Sequence, residues 1–277
     1  MKNYLDHLID LKGLAKIYDE LPLWSAPFGL KLLDYIKYRP GLTALDIGFG
    51  TGFPLTEVAM RLGSDAVVYG IDPWEDAHEA VKAKLKYYKI SNAKLIKGYA
   101  ESIPLNNRSV DLIVSNNGIN NVKDQDKVFS ECARVIRPGG QLVFTMNLDK
   151  SMIEFYSVFG QVLSEAGLEE ELAAMKQHIY VKRRPLDEIL NSVTAHGFHI
   201  KDMEHDQFNY RFASGTAMLN HYFIRMAFME SWVKLLPAGQ VESVFDKIEA
   251  RLNEEAGLLG ETTLSIPYVL INAILGE

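Results

Sequence analysis

Short apolar runs alternate with stretches of helical periodicity through the first half of the chain. The runs predict strands of a parallel sheet, because such strands are covered on both faces and are apolar along their length. The segments between them carry apolar residues at spacings of three and four, the pattern of an amphipathic helix. The predicted strands are an apolar run that ends in the carboxylate of Asp46 and the segments 66–72, 93–98, 110–115 and 141–146. Strands that alternate with helices in this way predict an α/β fold.

The regions on either side of this alternation are less regular. Residues 3–18 have a helical pattern and predict a helix that packs on the sheet or forms a lid. Ser151 and Glu154 have the spacing of a capping box, which predicts the start of a helix. Strands are predicted again at 198–205 and 263–274, and the insertion between them is larger than the basic fold needs.

This insertion is rich in apolar and aromatic residues. Thr216–Leu236 has more apolar positions than a single helix face can bury, and 241–252 is a cleaner amphipathic helix. The two segments either pack on each other or cover a substrate pocket, and the sequence leaves both explanations open. His221 and Arg225 share one helix face, either as a pair for substrate contact or proton removal or as a plain exposed pair.

Charge and hydropathy limit the classes of protein that the chain can represent. The formal net charge is −7 and no stripe of Lys and Arg is present, so we expect no nucleic-acid partner. The longest apolar runs, such as 265–275, are too short for a membrane span. Residues 1–6 carry charged side chains where a secretory signal would be apolar. We therefore expect a cytoplasmic protein without a membrane span.

The cysteine and histidine content argues against disulfides and metal sites. Cys132 is the only cysteine, and its apolar neighbours predict a buried helical position rather than a reactive thiol. His196, His199 and His205 lie close in sequence, but no cysteine or nearby acid completes a tetrahedral set of ligands. An exposed strand face is the favoured explanation for these histidines, and we predict no metal.

A glycine-rich turn follows the first predicted strand. Asp46 stands near the end of that strand, and Gly48, Gly50 and Gly52 follow at alternate positions before a helix that begins at Pro54. Glycine tolerates positive φ and has no Cβ, so ligand atoms can lie directly against the main chain. The turn therefore predicts a nucleotide-like ligand at the carboxyl end of the strand.

The spacing within this turn separates two families of nucleotide-binding enzymes. The G-x-G-x-x-G fingerprint of nicotinamide and flavin enzymes needs a glycine where this chain has Phe53. The pattern present, D-x-G-x-G-x-G, resembles the first motif of the class I S-adenosylmethionine-dependent methyltransferases. Residues 98–105 look like that family's G-D-A-E-x-L-P-F stretch, and 110–115 and 137–140 are similar to its fourth strand and its Pro-Gly-Gly turn. The resemblance extends over 42–146 and is closest to small-molecule enzymes that methylate quinone precursors and other metabolites.

The resemblance implies a fold, a cofactor and a reaction. The fold is a Rossmann-like, doubly wound sheet of seven mostly parallel strands, with an antiparallel last strand and an added helical cap. The cofactor is S-adenosyl-L-methionine, and the reaction is direct in-line transfer of its methyl group to a small, partly apolar metabolite. Arsenite methyltransferases share the core but need several cysteines, which excludes them here. The protein is expected to be a monomer or a homodimer.

The resemblance also assigns residues to the site. Asp72 accepts hydrogen bonds from the ribose hydroxyls, the main chain near Asn116 holds the methionine ammonium, and Tyr99 replaces the family's usual aspartate at the adenine. Cofactor contacts are assigned to Tyr18, Asp46, Gly48, Phe49, Gly50, Gly52, Asp72, Pro73, Ala100, Glu101 and Asn116. Substrate contacts are assigned to Trp24, Asn117 and His221. No catalytic residue is named, because an activated methyl group needs an aligned nucleophile more than acid or base groups.

The prediction includes three segments and leaves two alternative functions open. Residues 1–40 are a helical lid, 41–150 the cofactor-binding core, and 151–277 the rest of the sheet, with a substrate-capping insertion at about 214–260 in the same structural domain. A protein that binds S-adenosylmethionine without transferase activity would carry the same motifs. A nicotinamide-dependent oxidoreductase would account for the first two glycines of the turn but not for the third, nor for residues 98–105.

Overall fold

The computed structural model describes residues 3–5 and 24–277 of the chain. The strands in these ranges are β1 (Thr43–Ile47), β2 (Val67–Asp72), β3 (Ala93–Lys97), β4 (Val110–Asn116), β5 (Ile136–Asn147), β6 (Phe198–Phe212) and β7 (Thr262–Leu275). They form one seven-stranded sheet with the order β3-β2-β1-β4-β5-β7-β6. Strands β1 to β5 pair in parallel, and β7 runs antiparallel to β5. The predicted Rossmann-like, mostly parallel sheet is confirmed.

Helices connect the strands on the pattern that the sequence predicts. They are α1 (Ala26–Tyr35), α2 (Leu55–Leu62), α3 (Glu75–Tyr87), α4 (Gln125–Val135), α5 (Ile153–Glu165), α6 (Glu169–Lys182), α7 (Leu186–Ala195), α8 (Gly215–Asn220), α9 (Tyr222–Ile224), α10 (Glu230–Val233) and α11 (Val241–Leu259). None of the helices in the described ranges combines the length and the apolar character needed to cross a bilayer. Of the helix predicted at 3–18, only Asn3–Leu5, a short 3-10 helix, is described. The rest of that helix, with Tyr18, lies outside the described residues.

The chain divides into two compact units, each built from separate segments. The core unit comprises Leu11–Asn147, Pro185–Asp206 and Tyr268–Glu277. The helical unit comprises Met1–Asp10, Leu148–Arg184 and Gln207–Pro267. The borders that we predict from the sequence at residues 40 and 150 stay a prediction.

The core unit is held by apolar side chains on both faces of its central strands. Four of the five residues of β1 are buried, as expected for an inner strand of a parallel sheet. Helix α2 buries Leu55, Val58 and Leu62 on one face, and Gly63 ends it with a φ of 78°. Cys132 is fully buried, and burial raises the pKa of its thiol far above its ordinary value. The prediction of a buried helical position for this residue is confirmed.

The helical unit has an aromatic core of its own. Trp232 is fully buried, stacks on Phe155 with ring centroids 3.9 Å apart, and donates through Nε1 to the Tyr156 hydroxyl at 3.1 Å. Burial of aromatic rings with the indole N–H satisfied is strongly stabilising. The segment that carries Trp232 includes a stretch of π-helix at Arg225–Met229. Its apolar side chains therefore pack on neighbours within the helical unit, and a role for them at a substrate pocket stays a prediction.

Three details differ from the sequence-based expectations. The capping box is wrong, because α5 starts at Ile153 without a side-chain cap and Glu154 instead accepts from the Ser265 N–H at 2.9 Å. Helix α6 was not predicted, since only Met175 of its side chains is buried and no apolar stripe marks it. The turn expected at 137–140 lies inside β5, where the pairing with β4 shifts register.

Candidate functional site

A pocket of about 660 Å³ lies at the carboxyl ends of β1, β2 and β4. Every residue that lines it belongs to the core unit. The carboxyl ends of parallel strands meet at one edge of a sheet, so the turns that follow them form the pocket. The predicted site residues that line it are Trp24, Gly48, Phe49, Gly50, Asp72, Pro73, Ala100, Glu101, Asn116 and Asn117. Asp46 in β1 and Gly52 in the turn do not line the pocket, His221 is in the helical unit, and Tyr18 lies outside the described residues.

The glycine turn brings bare main chain to the pocket. Gly48, Gly50 and Gly52 have φ values of 77°, 50° and 116°, which other residues rarely adopt. A Cβ on Gly48 would lie 2.8 Å from the Cα of Gly118, so the turn and the segment after β4 approach too closely for a side chain. A Cβ on Gly50 would meet no atom within 4 Å. Open space therefore lies beside the Gly50 main chain.

Asp72 is held rigidly at the end of β2. Its Oδ2 accepts from the Gly50 N–H at 2.9 Å, and its Oδ1 accepts from the Trp74 N–H at 2.8 Å. The buried His78 ring lies 2.9 Å from the Asp72 carbonyl oxygen. Each carboxylate oxygen has two lone pairs, so each can accept one further hydrogen bond. The carboxylate can thus bind two adjacent hydroxyl groups while it fixes the glycine turn.

Asp46 is fully buried beneath the turn. Neither carboxylate oxygen accepts a hydrogen bond of ordinary length from the described residues. Burial raises the pKa of Asp46 well above its ordinary value, the charge of Asp72 raises it further, and the N–H of Leu55 offsets a smaller part. A buried acid without a partner is costly, so the turn contains a hydrogen-bonding group that a polar ligand, or a water bound with it, would satisfy.

Comparison with known proteins connects part of the chain to a known family. A family model described as a methyltransferase domain matches residues 45–144, which carry the glycine turn, Asp72 and β4. This segment of the chain carries a methyltransferase domain. Demethylmenaquinone methyltransferase of Bacillus mycoides strain KBAB4 is 32% identical over 117 residues, which are 42% of this chain and 49% of that protein. Human arsenite methyltransferase is 28% identical over 182 residues, or 61% of this chain and 48% of that protein.

The solved structures agree with the fold of this methyltransferase domain. The YcgJ protein of Bacillus subtilis matches with a TM-score of 0.60 and 18% identity, covering 91% of this chain and 99% of that one. At this level of sequence identity, the match is evidence for the fold alone. The chain spans about half the length of the curated relatives that it matches. The names of those relatives also differ in the acceptor, so they do not define one substrate.

The wall of the pocket that the resemblance assigns to adenine includes Tyr99, Ala100 and Glu101. Tyr99 is 61% exposed at the pocket, and Ala100 is buried. The Oε1 of Glu101 accepts from the Lys123 N–H at 2.9 Å. This contact fixes the loop after β4 to the loop after β3. Within the described residues, the other carboxylate oxygen of Glu101 makes no hydrogen bond, so it can accept one from a ligand.

Arg134 is an anchor of this wall that the sequence analysis missed. It donates to the carbonyl oxygens of Ile103 at 2.7 Å and Leu105 at 2.8 Å, and to both oxygens of Glu131. Glu131 in turn accepts from the Ile103 N–H at 2.8 Å. The hydrogen bond with Arg134 lowers the pKa of Glu131, although burial by itself would raise this pKa. The only sequence signal is the spacing of three between an acid and an arginine on a predicted helix.

Replacement of Arg134 with glutamine is expected to lower the free energy of unfolding by about 2 kcal/mol, because several charge-assisted hydrogen bonds are lost and Glu131 is left largely buried. Urea unfolding followed by circular dichroism measures this change. The matched control is Arg137→Gln, which breaks a more exposed pair with Asp111 and should cost less than about 1 kcal/mol. Equal losses in the two variants would remove the anchoring role.

Two asparagines at the end of β4 make different contacts. Asn116 donates through Nδ2 to the Ser25 carbonyl at 3.0 Å and so ties the start of α1 to the sheet. Asn117 has a φ of 62°, and its Oδ1 accepts from Asn120 Nδ2 at 2.8 Å and from the Asn147 N–H at 3.1 Å. Among the described residues, the Asn117 Nδ2 group has no recorded acceptor. This group is therefore the part of Asn117 that can bind a ligand.

His221 has surroundings that the sequence did not indicate. Its ring makes edge contacts with Tyr210 and Phe212, at centroid distances of 6.0 and 5.4 Å. Its Nδ1 is buried without a hydrogen-bond partner among the described residues, and burial lowers its pKa. The explanation of His221 and Arg225 as a plain exposed pair is wrong, because both are partly buried. The assignment of His221 to a substrate stays a prediction.

Proposed function

We propose that this protein transfers the methyl group of S-adenosyl-L-methionine to a small, partly apolar metabolite by direct in-line transfer. The observation that carries the proposal is the rigid carboxylate of Asp72 opposite bare glycine main chain in a pocket of about 660 Å³. A pocket of this size suits a small molecule.

The residues of the pocket fit this cofactor. Asp72 would hold the ribose hydroxyls with its remaining lone pairs, and the open space beside Gly50 would admit ligand atoms to the main chain. The buried acid of Asp46 would gain a polar partner, directly or through water. When bound, the cofactor supplies a methyl group already activated by a positively charged sulfur. The chain is then required to align the acceptor and exclude water, which accounts for the lack of an obvious acid or base pair.

The aromatic content of the pocket supports a partly apolar acceptor. Trp24, Phe53, Trp74 and Tyr99 all line it. Aromatic walls with few polar groups are typical of sites for small apolar ligands. Cys132 is fully buried and is the chain's only cysteine, which argues against arsenite as the acceptor.

Methyl transfer is tested with the purified protein, methyl-labelled S-adenosyl-L-methionine and a panel of quinols, phenols, terpenoids and amines. We expect label in one class of acceptor and an equal amount of S-adenosylhomocysteine by mass spectrometry. An Asp72→Ala variant is the negative control. Cofactor binding without turnover on any acceptor would favour the non-catalytic alternative. Binding of a nicotinamide cofactor in place of S-adenosylmethionine would overturn the proposal.

Three further statements stay predictions from the sequence. They are a cytoplasmic location, the absence of a nucleic-acid partner, and a monomeric or homodimeric state. The acidic net charge of −7 supports the second of them.

A further inference from the structure

Arg183 is a buried arginine at the end of helix α6 in the helical unit. Only 4% of its surface is exposed, whereas arginine side chains are mostly exposed in proteins. Its main-chain N–H donates to the Ile179 carbonyl at 2.8 Å and closes the last turn of the helix. The main chain of Arg183 is therefore satisfied, and the side chain is the part that needs an explanation.

The guanidinium of Arg183 has no hydrogen-bond acceptor and no carboxylate partner in the part of the chain that the structure describes. Its Nε is enclosed and unbonded. The recorded contact of the side chain is with the ring of Tyr156, whose centroid lies 5.9 Å from the guanidinium carbon. By contrast, Arg134, Arg211 and Arg251 each reach a carboxylate, although they are more exposed.

The contact with Tyr156 does not offset the burial of this charge. Removal of an ion from water costs more free energy than the contact of a cation with an aromatic ring recovers. Buried charges are ordinarily paired, so Arg183 needs a partner that the described residues do not supply.

The charges around Arg183 point to a partner of negative sign. Burial lowers the pKa of His178, and the positive charges of Arg183 and Lys182 lower it further. His178 and Lys182 lie one helical turn apart on α6, immediately before Arg183. Lys182 and Arg183 therefore place two adjacent positive charges at the end of this helix, and these charges attract an anion against the partial negative charge of the last helical carbonyls.

We propose that Arg183 binds the oxyanion group, a carboxylate or a phosphate, of a small ligand in the helical unit. The planar guanidinium presents parallel N–H donors that match two oxygens of either group. The Tyr156 ring supports the guanidinium from the side, so the donors are pre-oriented at little further cost in entropy. The inference does not depend on the proposed methyl transfer, since it rests on residues outside the pocket of the core unit.

Isothermal titration calorimetry and thermal unfolding of the full chain test this site. The probes are inorganic phosphate and succinate, each compared with sodium chloride at equal ionic strength. We expect at least one of the two anions to bind saturably and to raise the unfolding temperature beyond the chloride control. Tighter binding of phosphate indicates a phosphate-bearing ligand, and tighter binding of succinate indicates a carboxylic acid, and either result supports the proposal.

Variants locate the binding at Arg183. Arg183→Gln should weaken the favoured anion at least about tenfold, because charge-assisted hydrogen bonds are lost. Arg183→Lys keeps the charge without the planar fork and should bind with intermediate affinity. Lys176→Gln on the exposed side of α6 is the matched control and should bind as the wild type does. The proposal is overturned if neither anion acts beyond chloride on the wild type, or if Arg183→Gln and Lys176→Gln bind equally.

Discussion

Replacement of Asp72 with alanine is expected to weaken the binding of S-adenosylhomocysteine by about 100-fold or more. The variant removes an acceptor for two ribose hydroxyls, and each charge-assisted hydrogen bond contributes about 1.5 to 3 kcal/mol. It also frees the N–H groups of Gly50 and Trp74, which Asp72 now holds at 2.9 and 2.8 Å. The glycine turn then loses its fixed shape, so the loss of affinity has a second cause in addition to the missing acceptor.

Calorimetric titration of the wild type and three variants separates these causes. Asp72→Asn keeps one acceptor oxygen and should show an intermediate affinity. Asp65→Ala, which removes an exposed carboxylate shortly before β2, should bind as the wild type does. Circular dichroism checks that each variant is folded. An affinity of Asp72→Ala within a factor of about two of the wild type would exclude the ribose role, since even one lost hydrogen bond to a charge exceeds that difference.

Replacement of Gly118 with alanine is expected to destabilise the core unit by about 3 kcal/mol. The Cβ of the new alanine would lie 2.3 Å from the Ile47 carbonyl oxygen and 3.1 Å from the Gly48 Cα. These are main-chain atoms of the glycine turn, so no side-chain rotation relieves the clash. The φ of Gly118 is −67°, which any residue can adopt, and the cost is therefore steric rather than conformational.

Urea unfolding of Gly118→Ala, with Gly98→Ala as its control, measures this cost. A Cβ on Gly98 would first meet the Ile71 side chain at 3.6 Å, an ordinary contact, so the control should change stability by less than about 0.5 kcal/mol. If Gly118→Ala proves as stable as Gly98→Ala, the close approach of the turn to the segment after β4 is not real. A folded Gly118→Ala variant should also bind S-adenosylhomocysteine more weakly, because the turn must shift.

The strands, the order of elements and the glycine turn were predictable because their signals are local. A buried parallel strand needs a continuous apolar run, and a turn with positive φ at alternate positions needs glycine there, whatever the rest of the chain does. The same holds for Asp72, which ends the run that forms β2. These features required no knowledge of distant contacts.

The errors arose where a distant contact overrides a local preference. Glu154 has the spacing of a capping residue, but its carboxylate accepts a hydrogen bond from the N–H of Ser265, which is 111 positions away in the sequence. The contact of Arg134 with the Ile103 carbonyl spans 31 positions and leaves no periodic signal. Helix α6 is mostly solvated, so hydrophobic periodicity does not reveal it. Sequence patterns indicate which face of a helix or strand is buried, but they do not indicate which polar groups form hydrogen bonds with each other.

The candidate site likewise has features that the sequence predicts and features that it does not predict. The sequence indicated which turns surround the ligand, since they follow the strands of the sheet. It did not indicate that the Oδ1 of Asn117 would be engaged by Asn120 and Asn147, or that the Oε1 of Glu101 would cap the Lys123 N–H. It also gave no sign that Arg183 would be buried, because arginine is usually solvent-exposed and nothing in its neighbours marks it.

The pairing of β5 with β7 limits how this enzyme domain can be isolated. The segment that matches the family model stops at residue 144, yet Gln141–Asn147 are hydrogen-bonded to Tyr268–Ile274 at the far end of the chain. A fragment trimmed to the family boundaries would leave the edge of β5 around Val143 and Phe144 without its partner strand and would expose these buried side chains. Unpaired strand edges of this kind recruit other chains into aggregates. Expression of the methyltransferase domain alone therefore has to retain strand β7.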